Sequence, residues 1–344
     1  MKKVVFTEVE EKWQQEYLQE KINPFDLQVE FVSGPLAEVS AELKEATEIL
    51  SVFIRSECTE DELKNWPVLE YIATRSTGFD HIDLKYCREK GIDVSNVPTY
   101  GDNTVAEHTF ALILSLSRKI YQTVQCTMHG DYRDCDQLQG FDLRGKKLGV
   151  IGVGNIGKHV IKMARGFGME VLAFDIDRDI FIADLLGFEY VELKKLLEES
   201  HIITLHCPLN DSTRHLMDYE EFESCRDGAL VINTSRGEII NTEALLAALQ
   251  SGKISGAGLD VVEGEELVLE EPRLNEKDFP REKLEQLIQN NRLIKRDDVI
   301  FTPHMAYNSK EAVERILATT VANIRAFISG GSQNSVIESQ QFGS

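Results

Sequence analysis

The stretch KKLGVIGVGNIGKHV, residues 146–160, constrains this chain more than any other. An apolar run leads into Gly152-Val153-Gly154-Asn155-Ile156-Gly157, after which Ile156, Val160, Met163, Ala164 and Phe167 recur at the spacing of one helix face. Strand, glycine turn and helix in that order bring free N–H groups and the positive end of a helix dipole to one spot. Small residues there let the backbone approach a pyrophosphate. Eighteen residues past Gly157, at the end of the run MEVLAFD, stands Asp175, suited to accept the ribose hydroxyls of an adenosine. A 2′-phosphate would meet that carboxylate as a like charge, so the pattern selects NAD over NADP, with Arg178 as the nearby cation opposing the choice.

The turn sits near the middle of 344 residues, a length too great for one ordinary core and suited to two domains. Ahead of it, short β-like runs (VVFTEV, LQVEFVS, ILSVFIR, LEYIATRS, IDVSNVP) alternate with amphipathic segments around Trp13 and Leu43, with TEDELKNW and with DHIDLKYCREKG. Such alternation predicts a parallel sheet with helices on its faces. The texture changes at NTVAEHTFALILSLSRKI, residues 103–120, which holds neither Pro nor Gly and reads as one long, largely buried helix, its apolar face broad enough for a subunit contact. After the polar, irregular patch MHGDYRDCDQLQGFDLRG come KLGVIGVG, MEVLAFD, IITLHCP, ALVINTS, GAGLDVV and DVIFTPH, six strand candidates that make a whole doubly wound domain. The closing helix, residues 310–328, ends at Gly330-Gly331 and is assigned back to the first domain. The expected fold class is α/β with two doubly wound parallel-sheet domains. A Rossmann NAD-binding domain over 102–299 is inserted in a flavodoxin-like catalytic domain made of 1–101 and 300–344.

Charge and cysteine usage narrow the setting. With 58 acidic against 37 basic residues the formal charge is −21, which repels nucleic acid and anionic membrane, so an anionic substrate has to be held by a local site working against that field. No window approaches the ~18 consecutive apolar residues of a membrane span. The N-terminus MKKVVFTEVE suits a first strand better than an export signal. Cys58, Cys87, Cys126, Cys135, Cys207 and Cys225 are scattered without a CxxC pair, and no cluster has metal-ligand spacing. A cytoplasmic protein with reduced thiols and no metal is expected.

A nicotinamide exchanges a hydride, so the protein has to supply a proton donor or acceptor and a grip on the substrate. Of eight histidines, His81, His108, His159, His201 and His215 lie in helix-like, helix-adjacent or polar segments and read as structural or solvated. His206 lies within a strand and His129 in the polar patch. His304 differs: it follows Pro303 just past the strand DVIFT, where the ends of a doubly wound sheet converge on the ligand. ALVINTSRG ends in Arg236, whose planar fork suits a carboxylate and an adjacent carbonyl oxygen. GAGLDVVEGE ends in Asp260, Glu263 and Glu265, one of which is expected to hydrogen-bond His304 and favour its charged form. The alternative is that these are unrelated charges on surface loops.

At these residues the sequence resembles the D-isomer-specific 2-hydroxyacid dehydrogenase family, and within it the D-lactate dehydrogenases. Seven motifs in family order carry the likeness: RSTGFDHIDL (75–84), NTVAEHTFALIL (103–114), GVIGVGNIG (149–157), HCPL (206–209), INTSRGEII (232–240), GLDVVEGE (258–265) and TPHMAY (302–307). The resemblance implies that Arg236 binds the substrate carboxylate and polarises its keto oxygen. It implies that His304 protonates this oxygen as hydride arrives and serves as the base in reverse, that Glu265 pairs with His304, and that Asp260 lies by the nicotinamide. Tyr100, Thr104, Cys207, Pro208 and Thr234 are implied to join Gly152, Gly154, Asn155, Ile156, Gly157 and Asp175 around NAD. The loop Ser76-Thr77-Gly78 is implied to meet the carboxylate with backbone N–H groups as the first domain closes over the second. Phe53 and Tyr307 fall where lactate-specific members carry aromatics, Phe53 where tyrosine is frequent, and together they leave room for little beyond a methyl side chain. Pyruvate is therefore the expected substrate. Bulkier 2-keto acids such as 2-ketoisocaproate or phenylpyruvate are the nearest alternative, and the family's NAD-sensing corepressors stand as one from another class. The region 103–120 resembles the family's dimer-forming segment, which implies a homodimer.

Overall fold

The computed structural model describes residues 1–130, 138–265, 267 and 280–337; Cys135 lies outside them. The chain divides into two units, Met1–Tyr100 with the segment from Ser309 onward, and Gly101–Asn308.

The first unit is a five-stranded parallel sheet in the order β2-β1-β3-β4-β5, with β1 Lys3–Phe6, β2 Gln28–Phe31, β3 Ile49–Val52, β4 Tyr71–Thr74 and β5 Asp93–Ser95. ILSV and YIAT are buried at every position, as strands covered on both faces have to be. The helix Lys310–Ile328 returns to this sheet. Ser309 caps it by accepting from the Ala312 N–H, Phe327 stacks on Tyr71 with ring centroids 4.3 Å apart, and Asn323 donates to the Asn96 carbonyl at 2.8 Å.

The second unit is a seven-stranded parallel sheet in the order β12-β11-β10-β9-β6-β7-β8. Its strands are β6 Lys147–Ile151, β7 Glu170–Phe174, β8 Glu189–Tyr190, β9 Ile202–Leu205, β10 Ala229–Asn233, β11 Ile254–Leu259 and β12 Val299–Phe301. The strand order reverses between β6 and β9, the switch point at which such sheets bind ligands. Register aligns Phe174, Ile151, Leu205, Asn233, Leu259 and Phe301 in one row, so the loops that follow six strands leave the sheet along a single edge. The helix Asp102–Ser117 lies tight on β11. A Cβ at Gly258 would stand 3.0 Å from that of Leu112, and one at Gly256 would come within 3.4 Å of Leu116, so the glycines of GAGL set how close this helix approaches.

Four expectations are corrected. The helix foreseen over 103–120 ends at Ser117: Lys119 adopts φ 54, the Ser117 carbonyl accepts from the Phe141 N–H at 2.8 Å, and a separate helix runs from Ile120 to His129. The polar patch therefore opens with helix rather than irregular chain, and its residues 131–137 lie outside the described ones. The nucleotide sheet has a seventh strand, Glu189–Tyr190, too short to stand out in a sequence pattern. The second unit extends to Asn308 rather than 299, because β12 pairs with β11 and the turn after it is bonded to Asp260 of the same sheet.

Candidate active site

The glycine turn after β6 is shaped by close approach. Gly152 has φ 96, and a Cβ there would lie 2.5 Å from the Cys207 nitrogen; one on Gly157 would lie 2.2 Å from the Gly152 carbonyl oxygen. Any larger residue would push the helix Asn155–Gly166 off the turn. Gly154, the N-cap, has nothing within 4 Å of its would-be Cβ and offers no side chain to the first N–H groups of the helix. Asp175 stands at the mouth of this turn, its Oδ2 accepting from the Val153 N–H at 2.6 Å and its Oδ1 from the Asp177 N–H at 3.0 Å. Arg178 is turned to Glu192, at 2.7 Å. Cys207 is buried against Gly152, and burial pushes its thiol up to about 11, which makes it a packing residue and not a thiolate. Pro208 beside it is exposed.

Three loops farther along the same edge carry the charges. Arg236 is half-buried in the turn after β10; it donates from Nη1 to the Ser235 carbonyl at 2.8 Å, and its own carbonyl accepts from Asn233 Nδ2 at 2.8 Å. His304 has φ 53 and places Nδ1 2.7 Å from Glu265 Oε1. Of the three acids after β11, then, Glu265 is the one paired with His304. Glu263 takes His215 instead, at 2.8 Å, and the two glutamates diverge about Gly264, φ 64. Asp260 is 1% exposed and is bonded to the turn itself: Oδ1 accepts from the Met305 N–H at 2.8 Å and from the Thr302 hydroxyl, and Oδ2 from the Ala306 N–H at 2.9 Å. Burial alone would raise its pKa, but the nearby His108 ring and the hydrogen bonds from Thr302, Ala306 and Met305 outweigh this and hold the carboxyl below its ordinary value. Thr104 is buried on the helix Asp102–Ser117, Thr234 bonds Thr109 at 3.0 Å, and Tyr307 is half-buried after the His304 turn.

The remaining expected residues lie in the first unit. Phe53 follows β3, with the Arg75 guanidinium 5.8 Å from its ring centroid. In the loop after β4, Ser76 donates to the Gly78 carbonyl at 2.6 Å and Thr77 to the Val97 carbonyl at 2.9 Å, so both side chains brace the loop from within. The Tyr100 carbonyl accepts from Arg315 Nε at 2.6 Å.

Comparison with known proteins identifies the family. The model of the D-isomer specific 2-hydroxyacid dehydrogenase NAD binding domain matches residues 110–306. The D-lactate dehydrogenase of Escherichia coli is 35% identical over 320 residues, 91% of this chain and 93% of its own. The chain belongs to the D-isomer-specific 2-hydroxyacid dehydrogenase family. An aromatic 2-oxoacid reductase of Clostridium sporogenes is 39% identical over 264 residues, 75% of this chain and 76% of its own. The crystal structure of D-lactate dehydrogenase from Aquifex aeolicus complexed with NAD and lactic acid superposes with a TM-score of 0.86 at 36% identity, covering 97% of this chain and 99% of that one.

The second unit of this dehydrogenase is its NAD-binding domain, and its residues fit the cofactor. The space at Gly154 and the helix start without a side-chain cap would suit a pyrophosphate, and the anchored Asp175 carboxylate would suit ribose hydroxyls. Two histidines at this edge are not marked as site residues by the sequence pattern. His215 lies eight residues beyond Cys207, and only the fold brings it to Glu263. For His108 a signal existed: it stands four residues after Thr104, on the same face of one helix.

Proposed function

We propose that this dehydrogenase reduces pyruvate to D-lactate, with His304 as general acid and base. The observation that carries the reading is the His304–Glu265 pair at the end of β12, on the same strand edge as Arg236 and the glycine turn. A nicotinamide held by the second unit would supply the hydride chemistry in either direction. Glu265 accepts from Nδ1–H, which fixes the ring and directs Nε2 to the substrate. Nε2–H donates its proton to the keto oxygen as the carbon is reduced, and Nε2 takes it back when the hydroxy acid is oxidised. Arg236 is assigned the substrate carboxylate and the keto oxygen, where its planar fork grips the first and stabilises charge growing on the second. The N–H groups of Ser76, Thr77 and Gly78 are assigned to the carboxylate as well.

Phe53 and Tyr307 are read as the limits on side-chain size, and the D-lactate dehydrogenase at 35% identity supports the small substrate. The 39% identical aromatic 2-oxoacid reductase favours a second reading, in which bulkier 2-keto acids are preferred. A panel of kcat/KM values with NADH decides between them. Pyruvate is expected to exceed 2-ketoisocaproate and phenylpyruvate by about tenfold or more, the range that one misfitting group commands. The reverse order would establish the second reading. A homodimer in the cytoplasm remains part of the proposal. Its contact is better sought on the exposed Ile120, Tyr121, Val124 and Met128 of the helix Ile120–His129 than on the largely buried helix before it.

A further inference from the structure

The turn that carries His304 needs support from elsewhere. His304 has φ 53, a left-handed conformation that is unfavourable for a non-glycine residue and persists only where its surroundings over-determine it. Asp260 provides that determination. Its main-chain carbonyl accepts from the His304 N–H at 2.8 Å, and its carboxylate accepts from the N–H groups of Met305 and Ala306 and from the Thr302 hydroxyl.

The direction of these bonds fixes the state of a further residue. An ionised carboxylate only accepts, so Thr302 gives its single hydroxyl proton to Asp260. The Thr302 oxygen, 2.9 Å from His108 Nε2, must then be the acceptor of that contact, and His108 must carry a proton on Nε2. The same nitrogen lies 3.4 Å from Asp260 Oδ1. His108 belongs to the helix Asp102–Ser117, seated on β11 by Gly256 and Gly258, and its neighbour Thr109 bonds Thr234, two residues before Arg236. One helix thus braces the ends of the two strands that lead to Arg236 and His304.

We propose that His108 is a positioning residue for proton transfer, acting as an Nε2–H donor at the head of the chain His108–Thr302–Asp260 that fixes the turn presenting His304. This rests on the reading of His304 as the acid and base. Misplacement of a reacting group by about 1 Å costs up to ~100-fold in rate, so a loosened turn affects turnover and spares cofactor binding.

The test is steady-state kinetics with NADH and pyruvate, alongside NADH titration by fluorescence. H108L and T302V are each expected to lower kcat by on the order of tenfold, with NADH affinity unchanged. The double variant is expected to be no worse than either single one, because the two break one chain. H108Q, whose amide N–H replaces the ring donor, restores most of the loss. H108Q as impaired as H108L, losses that multiply in the double variant, or an unaltered kcat in H108L would overturn the proposal. If H108L does not fold, T302V against T302S decides the same question, since serine keeps the hydroxyl link: a tenfold gap between them supports the chain, and equal rates overturn it. H304Q measured in parallel separates the two levels: an inactive H304Q beside a fully active H108L removes only the positioning role, and an active H304Q removes both.

Discussion

Arg75 and Arg236 occupy comparable stations, each in the turn beyond the C-terminal end of a parallel strand, and differ in what surrounds the guanidinium. Arg75 follows β4 of the first unit and is 4% exposed. Its Nη1 donates to the carbonyl and hydroxyl of Ser51, both at 3.0 Å, and Nη2 to the carbonyls of Thr7 and Glu8, so one side chain ties together the ends of β1, β3 and β4. Glu8 does the same with its carboxylate, accepting from the N–H groups of Phe53 and Arg55 and from the Ser56 hydroxyl. Arg236 stands half-buried in the second unit, in a row with the half-buried pairs His304–Glu265 and His215–Glu263. Two sheets of the same architecture therefore use strand-end charges differently: in one they close the loops on themselves, in the other they stand at the loop surface with their support beneath.

If that contrast is right, the two sets of residues should fail in different ways. The largest stability effect is expected from R75M, which leaves buried carbonyls without their donor. Unfolding free energy should fall by about 3 kcal/mol, read by denaturant titration, while NADH affinity stays as it was. A loss within ~0.5 kcal/mol, typical of surface changes, would erase the distinction. A smaller effect concerns His206, which bonds Thr204 at 2.9 Å and whose imidazole is pushed by burial from 6.5 down to about 3. The unfolded chain binds a proton there that the folded one refuses, so this contribution is full above pH 6.5 and is lost as pH falls toward 3. The slope is up to ~1.4 kcal/mol per pH unit. H206Q, which keeps a partner for Thr204 without titrating, should flatten the stability profile of the folded protein between those limits. An unchanged slope would mean that other groups set it.

The frame of both sheets was legible because parallel strands buried on both faces read as short apolar runs, as ILSV and YIAT do. The glycine turn was legible for a different reason: Gly152 and Gly157 are required by backbone approaches that no other residue permits. Features set by distant partners left no local pattern to read. The break at Lys119 follows from a long-range bond, Phe141 to Ser117, and the seventh strand is only two residues long. At the site, the strand-end positions of Arg236 and His304 could be counted from sequence, but which acid meets which histidine could not. Glu263 and Glu265 are two residues apart and equivalent in pattern; the positive φ of Gly264 sends them to different partners. His108 offered only its place one turn after Thr104, because its role depends on a hydroxyl 194 residues away.

The most direct test of the central claim follows NADH consumption with pyruvate in the native protein and in H304Q, and determines the hand of the product. The native protein is predicted to yield D-lactate, and H304Q to bind NADH normally but turn over at least ~100-fold more slowly, the contribution expected of a positioned acid. Formation of L-lactate, or near-normal turnover in H304Q, would contradict it.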